Sequence, residues 1–313
     1  MELIRGVHNL SDAHHGCVLT IGNFDGVHLG HAAVIRRLVA VAEAYGVPAT
    51  VMVFEPQPQE FFRGEQAAAR LSLLRDKLAR LAELGVARVL CIRFDQAFAD
   101  QDPGEFIRRL LVDKLGVRYL VVGDDFCFGR ARQGNYAMLE AAAEQYGFAL
   151  QDTASCLHGE ARISSTLIRQ ALAQGDLTAA AGMLGYPYRI SGRVAHGDKL
   201  GRTIDFPTAN VLLKRKVVPV RGVFAVRVRT EDGVEHLGVA NVGRRPTLAG
   251  IQCRLEVHIF DFNADLYGQH LQVELVSWLR DEQAFASLEA LKAQIQADAI
   301  EARVRLADAK VTV

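Results

Sequence analysis

The chain has 313 residues, half of them apolar, and carries 36 basic against 36 acidic residues. That length accommodates two domains of ordinary size, and balanced charge argues against a general nucleic-acid or membrane-surface role. No apolar run approaches the roughly 18 residues of a membrane span, Met1–Gly6 lacks the apolar core of a secretory signal, and five cysteines without a CxxC pair read as reduced thiols, so the expected setting is cytoplasmic, with no nucleic acid, membrane or obligatory protein partner.

In chain order, strand-like runs occur at 17–21, 49–54, 88–92 and 119–123. Helical patterns lie near 30–45, 72–84, 104–115 and 135–147. This alternation predicts an α/β domain: a doubly wound parallel sheet with helices on both faces. Ligands in such sheets bind at the carboxyl ends of the strands. Two shorter helices follow, at 164–174 and 177–184, and Gly185-Tyr186-Pro187 ends them. Beyond them, short strands near 189–195, 222–230, 236–242, 253–260 and 271–278 predict a small antiparallel β-barrel. An amphipathic terminal helix spans 284–307, and the expected domains are 1–185 and 186–313.

The first strand runs into Thr20-Ile21-Gly22-Asn23-Phe24-Asp25-Gly26-Val27-His28-Leu29-Gly30-His31. A strand, a glycine-rich turn and a helix start make an anion site, because the first helical N–H groups point outward at the positive end of the helix dipole. His28 and His31 are one turn apart, so both imidazoles can face one anion. The run is neither a dinucleotide GxGxxG fingerprint nor a Walker A loop, and no third ligand supports a metal at the histidines. A second run, Ile163-Ser164-Ser165-Thr166-Leu167-Ile168-Arg169, opens a helix with three hydroxyls and places an Arg one turn later. Taken singly, it reads either as an N-cap with a helical Arg or as a polyphosphate clamp.

Together the two runs resemble the HxGH and ISSTxxR motifs of the nucleotidylyltransferase superfamily. Gly123-Asp124-Asp125-Phe126-Cys127-Phe128-Gly129 and Phe54-Glu55-Pro56 narrow the resemblance to the adenylyltransferase domain of the bacterial bifunctional riboflavin kinase/FAD synthetase family. The resemblance implies adenylylation of FMN by ATP, giving FAD and pyrophosphate. The nucleophile is already a phosphate oxygen, so positioning and charge stabilisation dominate and no protein base is needed. On this reading His28 and His31 face the α/β phosphates, and Ser164, Ser165, Thr166 and Arg169 hold the outgoing pyrophosphate. Gly22, Asn23, Phe24, Asp25, Gly26 and Gly30 shape the site, while Asp125, Phe126 and Phe128 border the flavin or adenine.

In the second domain, Gly197-Asp198-Lys199-Leu200-Gly201-Arg202-Thr203 is one residue short of a P-loop and has Arg202 where the lysine belongs. Pro207-Thr208-Ala209-Asn210 places two hard oxygen ligands at i and i+2, on one face of an extended segment. The stretch resembles the riboflavin kinase motif with its PTAN element. Arg221-Gly222-Val223-Phe224, Gly243-Arg244-Arg245-Pro246-Thr247, Leu255–Phe262 and Leu266-Tyr267-Gly268 continue the likeness in order. It implies phosphorylation of riboflavin by ATP, with Glu256 as the base that removes a ribityl proton. Thr208 and Asn210 would hold Mg²⁺, Gly197, Lys199, Gly201 and Arg202 would cradle phosphates, and Arg303 would lie near the flavin. Asp205 stands where the family usually has glycine; it reads either as a tolerated turn residue whose carboxylate faces water or Mg²⁺, the favoured reading, or as added bulk and negative charge near the phosphates. Two rival readings stay open here: an adenylyltransferase whose barrel only binds flavin, and a flavin carrier without turnover.

Overall fold

The structure, a computed structural model, describes residues 1–153, 157–158, 161–196, 206–213, 217–247 and 250–309. The chain divides into two units: Met1–Ala68 with Leu74–Ile163, and Ala69–Leu73 with Ser164–Val313.

The first unit is built on six parallel strands, β1 (Glu2–Arg5), β2 (Cys17–Ile21), β3 (Ala49–Glu55), β4 (Arg88–Arg93), β5 (Val117–Val122) and β6 (Ala149–Asp152). Its helices are α1 (Leu29–Tyr45), α2 (Pro58–Arg63), α3 (Leu74–Glu83), α4 (Gln96–Ala99), α5 (Pro103–Glu105) with a π-helical continuation Phe106–Lys114, and α6 (Tyr136–Tyr146). The strand order is β1-β4-β3-β2-β5-β6. The chain therefore steps from β2 to one side and later returns to its other side at β5. That is a topological switch point, where a crevice opens beyond the carboxyl ends of the strands.

Strands covered on both faces read as continuous apolar runs. Leu19, Met52, Leu90 and Leu120 face one layer with Leu110 and Leu139. Their neighbours Val18, Val51, Val89 and Val121 face the other, against Ile35 and Leu38 of α1 and Leu81 of α3. The doubly wound expectation holds. The sequence pattern missed the edge strands β1 and β6, which are only four residues long and mostly half-buried or exposed. After β6 come two short strands, β7 (Leu157–His158) and β8 (Ala161–Arg162), paired antiparallel.

The second unit carries α7 (Ser165–Ala173), α8 (Leu177–Leu184), strands β9 (Arg189–Ala195), β10 (Ala209–Leu212), β11 (Gly222–Arg229), β12 (Glu235–Thr247), β13 (Gly250–Ile259) and β14 (His270–Arg280), and α9 (Leu288–Asp308). The strands close into a barrel in the order β10-β13-β12-β11-β14-β9. Alternation places Val226, Val228, Leu255, Val257 and Val273 in one core with Leu71, Ile168 and Leu172. The outward set Val223, Ala225, Val239 and Phe260 lies under Ala302 and Leu306 of α9. The barrel with a terminal helix is thus as expected. Helices α7 and α8 group with the barrel in this division. Among the described residues, no helix is long and apolar enough to cross a membrane.

Candidate functional site

In the first unit, β2 ends at Ile21 and the glycine run turns the chain into α1. Phe24 (φ 44°), Gly26 (φ 79°) and Val27 (φ 38°) all occupy the left-handed region. For a β-branched residue that is a genuine outlier, and such conformations persist only where packing over-determines them. Phe24 and Val27 are buried and do that work from below, in one cluster with Ile35 and Leu38. His28 is the N-cap of α1, and its Nδ1 accepts from the backbone N–H of His31 at 3.3 Å. A nitrogen that accepts carries no proton, so in its neutral form the ring keeps its proton on Nε2. The two imidazoles stack, with centroids 3.6 Å apart and planes 18° from parallel. The structure therefore brings the predicted histidine pair together, although one member is a cap rather than a helical residue. Asp25 is buried at 3 % exposure in the same turn.

Behind the turn lies a residue that the motifs did not show. Lys77 of α3 is 1 % exposed, and its Nζ donates to the carbonyl of Asn23 at 2.6 Å. Its signal was present in the sequence: Leu74, Lys77, Leu78 and Leu81 share one face, so a lysine stands at a core position. A buried ammonium is tolerated only with partners, and here it fixes the loop from its inner side.

The His31 imidazole is held well below its ordinary value of 6.5, first by burial and then by the charges of His28 and Lys77. The unfolded chain then binds a proton that the folded ring refuses. Stability from this group is complete above about pH 6.5 and is lost as pH falls below it. Urea midpoints should accordingly drop between pH 7 and pH 5, and His31→Gln should flatten that slope. An unchanged slope in the variant would assign the acid sensitivity to other groups.

Gly22 and Asn23 also line a cleft of about 720 Å³, walled by Phe54, Phe94, Phe98, Phe106, Phe126 and Phe128. Phe126 and Phe128 stack at 5.5 Å and 22°, and Phe106 meets Phe128 at 5.1 Å. Gly134 makes room for this: a Cβ there would come within 2.5 Å of the Phe128 ring. Asp125 lines the same cleft, so the turns after β2, β3 and β5 do share one edge. A flat heteroaromatic ligand with a phosphate near Gly22 suits this lining. Phe94, Phe98 and Phe106 carry no motif and become visible only when the strands are assembled.

The Ser164–Arg169 run lies in the second unit. Ser164 Oγ accepts from Leu167 N–H at 3.3 Å and caps α7. Arg169 Nε donates to the Ala69 carbonyl.

On the barrel, β10 pairs with β13 and β13 with β12, with Asn210 opposite Glu256 and Glu256 opposite Asn241. Residues directly opposite across antiparallel strands point to one face. Leu255 and Val257 take the barrel interior, so Glu256 lies outside it. It lines a cavity of about 390 Å³, with Thr208, Asn241, His258, Arg280, Glu282, Gln283 and Asp298 as polar neighbours and Val223, Val239, Phe285, Leu288, Leu291 and Ile295 among the apolar ones. Thr208 also lines a second, more polar cavity of about 790 Å³ with Asn263, Asp265 and Tyr267. One residue thus stands between a mostly apolar cavity that Glu256 lines and a more polar one.

His258 Nδ1 lies 2.9 Å from the Pro207 carbonyl. A carbonyl only accepts, so Nδ1–H donates, and His258 ties β13 to the segment that presents Thr208. The cavity's far wall is stapled by Arg280, which forks onto Asp298 at 2.8 and 2.7 Å. Arg303 is not among the residues lining this cavity. It forks onto Asp261 at 2.9 and 3.0 Å, with its guanidinium 4.2 Å over the Phe260 ring. Gly197, Lys199, Gly201, Arg202 and Asp205 lie outside the described residues.

Comparisons with known proteins agree with both halves. A family model described as FAD synthetase matches residues 10–167, and one described as riboflavin kinase matches residues 184–306. A bifunctional riboflavin kinase/FMN adenylyltransferase of Escherichia coli (strain K12) is 54% identical over 304 residues, 97% of each chain. The protein of the same description from Haemophilus influenzae is 52% identical over 299 residues, covering 95% of this chain and 97% of its own. A crystal structure described as a macrolide-efflux protein from Streptococcus pneumoniae superposes with a TM-score of 0.79 at 28% identity, over 95% of this chain and 97% of that one. The chain, matched along nearly its whole length in motif order, belongs to the bifunctional riboflavin kinase/FMN adenylyltransferase family.

Proposed function

We propose that this chain makes FMN and then FAD. The barrel unit transfers the γ-phosphoryl group of ATP to the terminal ribityl hydroxyl of riboflavin, releasing ADP. The sheet unit joins FMN to ATP, releasing pyrophosphate. The observation that carries the first half is the placement of Glu256. Its carboxylate lines an apolar cavity large enough for a flavin ring, and Thr208 connects that cavity to a polar one suited to a nucleotide. Glu256 takes the hydroxyl proton as the oxygen attacks the γ-phosphorus and the bond to ADP breaks.

The donor set fits Mg²⁺: Thr208 and Asn210 offer neutral hard oxygens two residues apart, beside the Glu256 carboxylate. When bound there, Mg²⁺ would offset the negative charge of the ATP phosphates. The chain's own residues orient the two substrates and receive the proton. Lys199 and Arg202 are assigned to the phosphates on the motif alone.

In the sheet unit an FMN phosphate oxygen attacks the α-phosphorus of ATP as pyrophosphate leaves. His28 Nε2–H donates to a phosphate oxygen at the positive end of α1, and His31 stays neutral beside it. The aromatic cleft holds the isoalloxazine. Ser164, Ser165, Thr166 and Arg169 are assigned to pyrophosphate on their motif. The setting proposed is the cytoplasm.

The test supplies riboflavin and Mg–ATP to the purified chain and follows FMN, ADP, FAD and pyrophosphate. All four should form. FAD from supplied FMN, with no FMN from riboflavin, would leave an adenylyltransferase whose barrel only binds flavin. Flavin binding without nucleotide turnover would leave a carrier.

A further inference from the structure

We infer that Asn241 is a flavin ligand in the Glu256 cavity, its side-chain carbonyl accepting a hydrogen bond from an internal hydroxyl of the ribityl chain. The inference rests on the kinase reading above and assigns a contact to a residue that no motif marks.

Asn241 of β12 stands directly opposite Glu256 of β13, which stands opposite Asn210 of β10. The three side chains form one lateral row on the outer face of the barrel, each about 5 Å from the next at Cβ. The flanking residues Ala240 and Val242 are in the barrel core, which leaves Asn241 no other face. Asn241 lines the same cavity as Glu256.

Its amide is oriented by its neighbour. Asn241 Nδ2 donates to Glu282 Oε1 at 3.3 Å. A carboxylate only accepts, so the amide nitrogen must be the atom on that side and the oxygen the atom on the other. That oxygen, Oδ1, is buried and has no hydrogen-bond partner among the described residues. A buried acceptor left unpaired is costly, and such atoms call for a partner supplied from outside the chain. The partner must be a donor that fits an otherwise mostly apolar cavity.

Riboflavin has two kinds of donor: the ribityl hydroxyls and the ring N3–H. Glu256 takes the terminal hydroxyl, and Asn241 is one strand away. The internal hydroxyls lie at that range along the same chain. N3–H lies across the three-ring system from the ribityl attachment, much farther than one strand spacing. Geometry therefore selects an internal hydroxyl.

The test compares wild type and Asn241→Ala on riboflavin and on its 2′-, 3′- and 4′-deoxy analogues, with lumichrome binding measured alongside. With riboflavin, the variant should lose about 10-fold or more in kcat/KM for FMN formation, as expected when a buried polar partner goes unpaired. With one deoxy analogue wild type should already show that loss, and the variant should add none. Lumichrome has the three-ring system, in its alloxazine form, and N3–H but no ribityl chain, so its binding should be equal in both proteins, which also shows that the cavity is folded. Equal losses on every analogue, or weakened lumichrome binding, would overturn the assignment, as would full activity of the variant on riboflavin. A wild-type protein that makes no FMN would remove the kinase reading itself.

Discussion

Glu256→Gln slows FMN formation by about 10²–10⁴-fold, the usual scale for loss of a general base, and leaves FAD formation from supplied FMN at the wild-type rate. The two side chains match in shape, so the cavity between β12, β13 and α9 keeps its packing. The amide can still hydrogen-bond a ribityl hydroxyl, but it has no vacant basicity to take the proton. The loss should therefore fall on kcat, with the KM for riboflavin close to wild type. Following FMN and ADP with riboflavin as substrate, and FAD with FMN as substrate, on one preparation reads both reactions. Comparable losses in the two would mean that the barrel and the sheet do not divide the chemistry as proposed.

Both folds could be read from the chain because each leaves a periodic record. The parallel strands β2 to β5 are apolar on both sides, so they appear as unbroken runs; the barrel strands alternate, so Leu255, Val257 and Ile259 point in while Glu256 and His258 point out. Edge strands leave a weaker record, and β1 and β6 went unseen for that reason. The motif residues were legible because glycine, histidine and hydroxyl side chains stand in fixed local spacing. Asn241, His258 and Lys77 were not, since their importance is a matter of register and burial. Asn241 becomes visible only when β12 is aligned against β13, and Lys77 only when α3 is seen to put its amine under the Asn23 carbonyl. The aromatic cleft is partly the same case: Phe54, Phe126 and Phe128 stand in motifs, but Phe94, Phe98 and Phe106 join them only when the strands are assembled.

His28→Ala lowers FAD formation by about 10²–10³-fold, the scale for removing one preorganised donor from a developing charge, while FMN formation from riboflavin stays unchanged. The ring caps the start of α1 through Nδ1, which leaves the proton of the neutral ring on Nε2, and the proposal has that N–H donate to a phosphate at the positive end of the helix dipole. On the proposed reading the aromatic cleft holds FMN, so its KM should move little and kcat should carry the loss. One complication has a physical remedy. His28 is also the N-cap of α1, so alanine removes a cap worth about 0.5–2 kcal/mol along with the imidazole. Asparagine is among the strongest N-caps and can accept from the His31 N–H, yet it is too short to present a donor where Nε2 stood. His28→Asn should therefore recover the thermal stability lost in His28→Ala and remain as poor in FAD formation. If His28→Asn regained activity with its stability, the histidine would be a cap alone, and the phosphate would be bound by the backbone of the glycine turn. If either variant lost FMN formation and kept FAD formation, the two activities would have to be exchanged between the units.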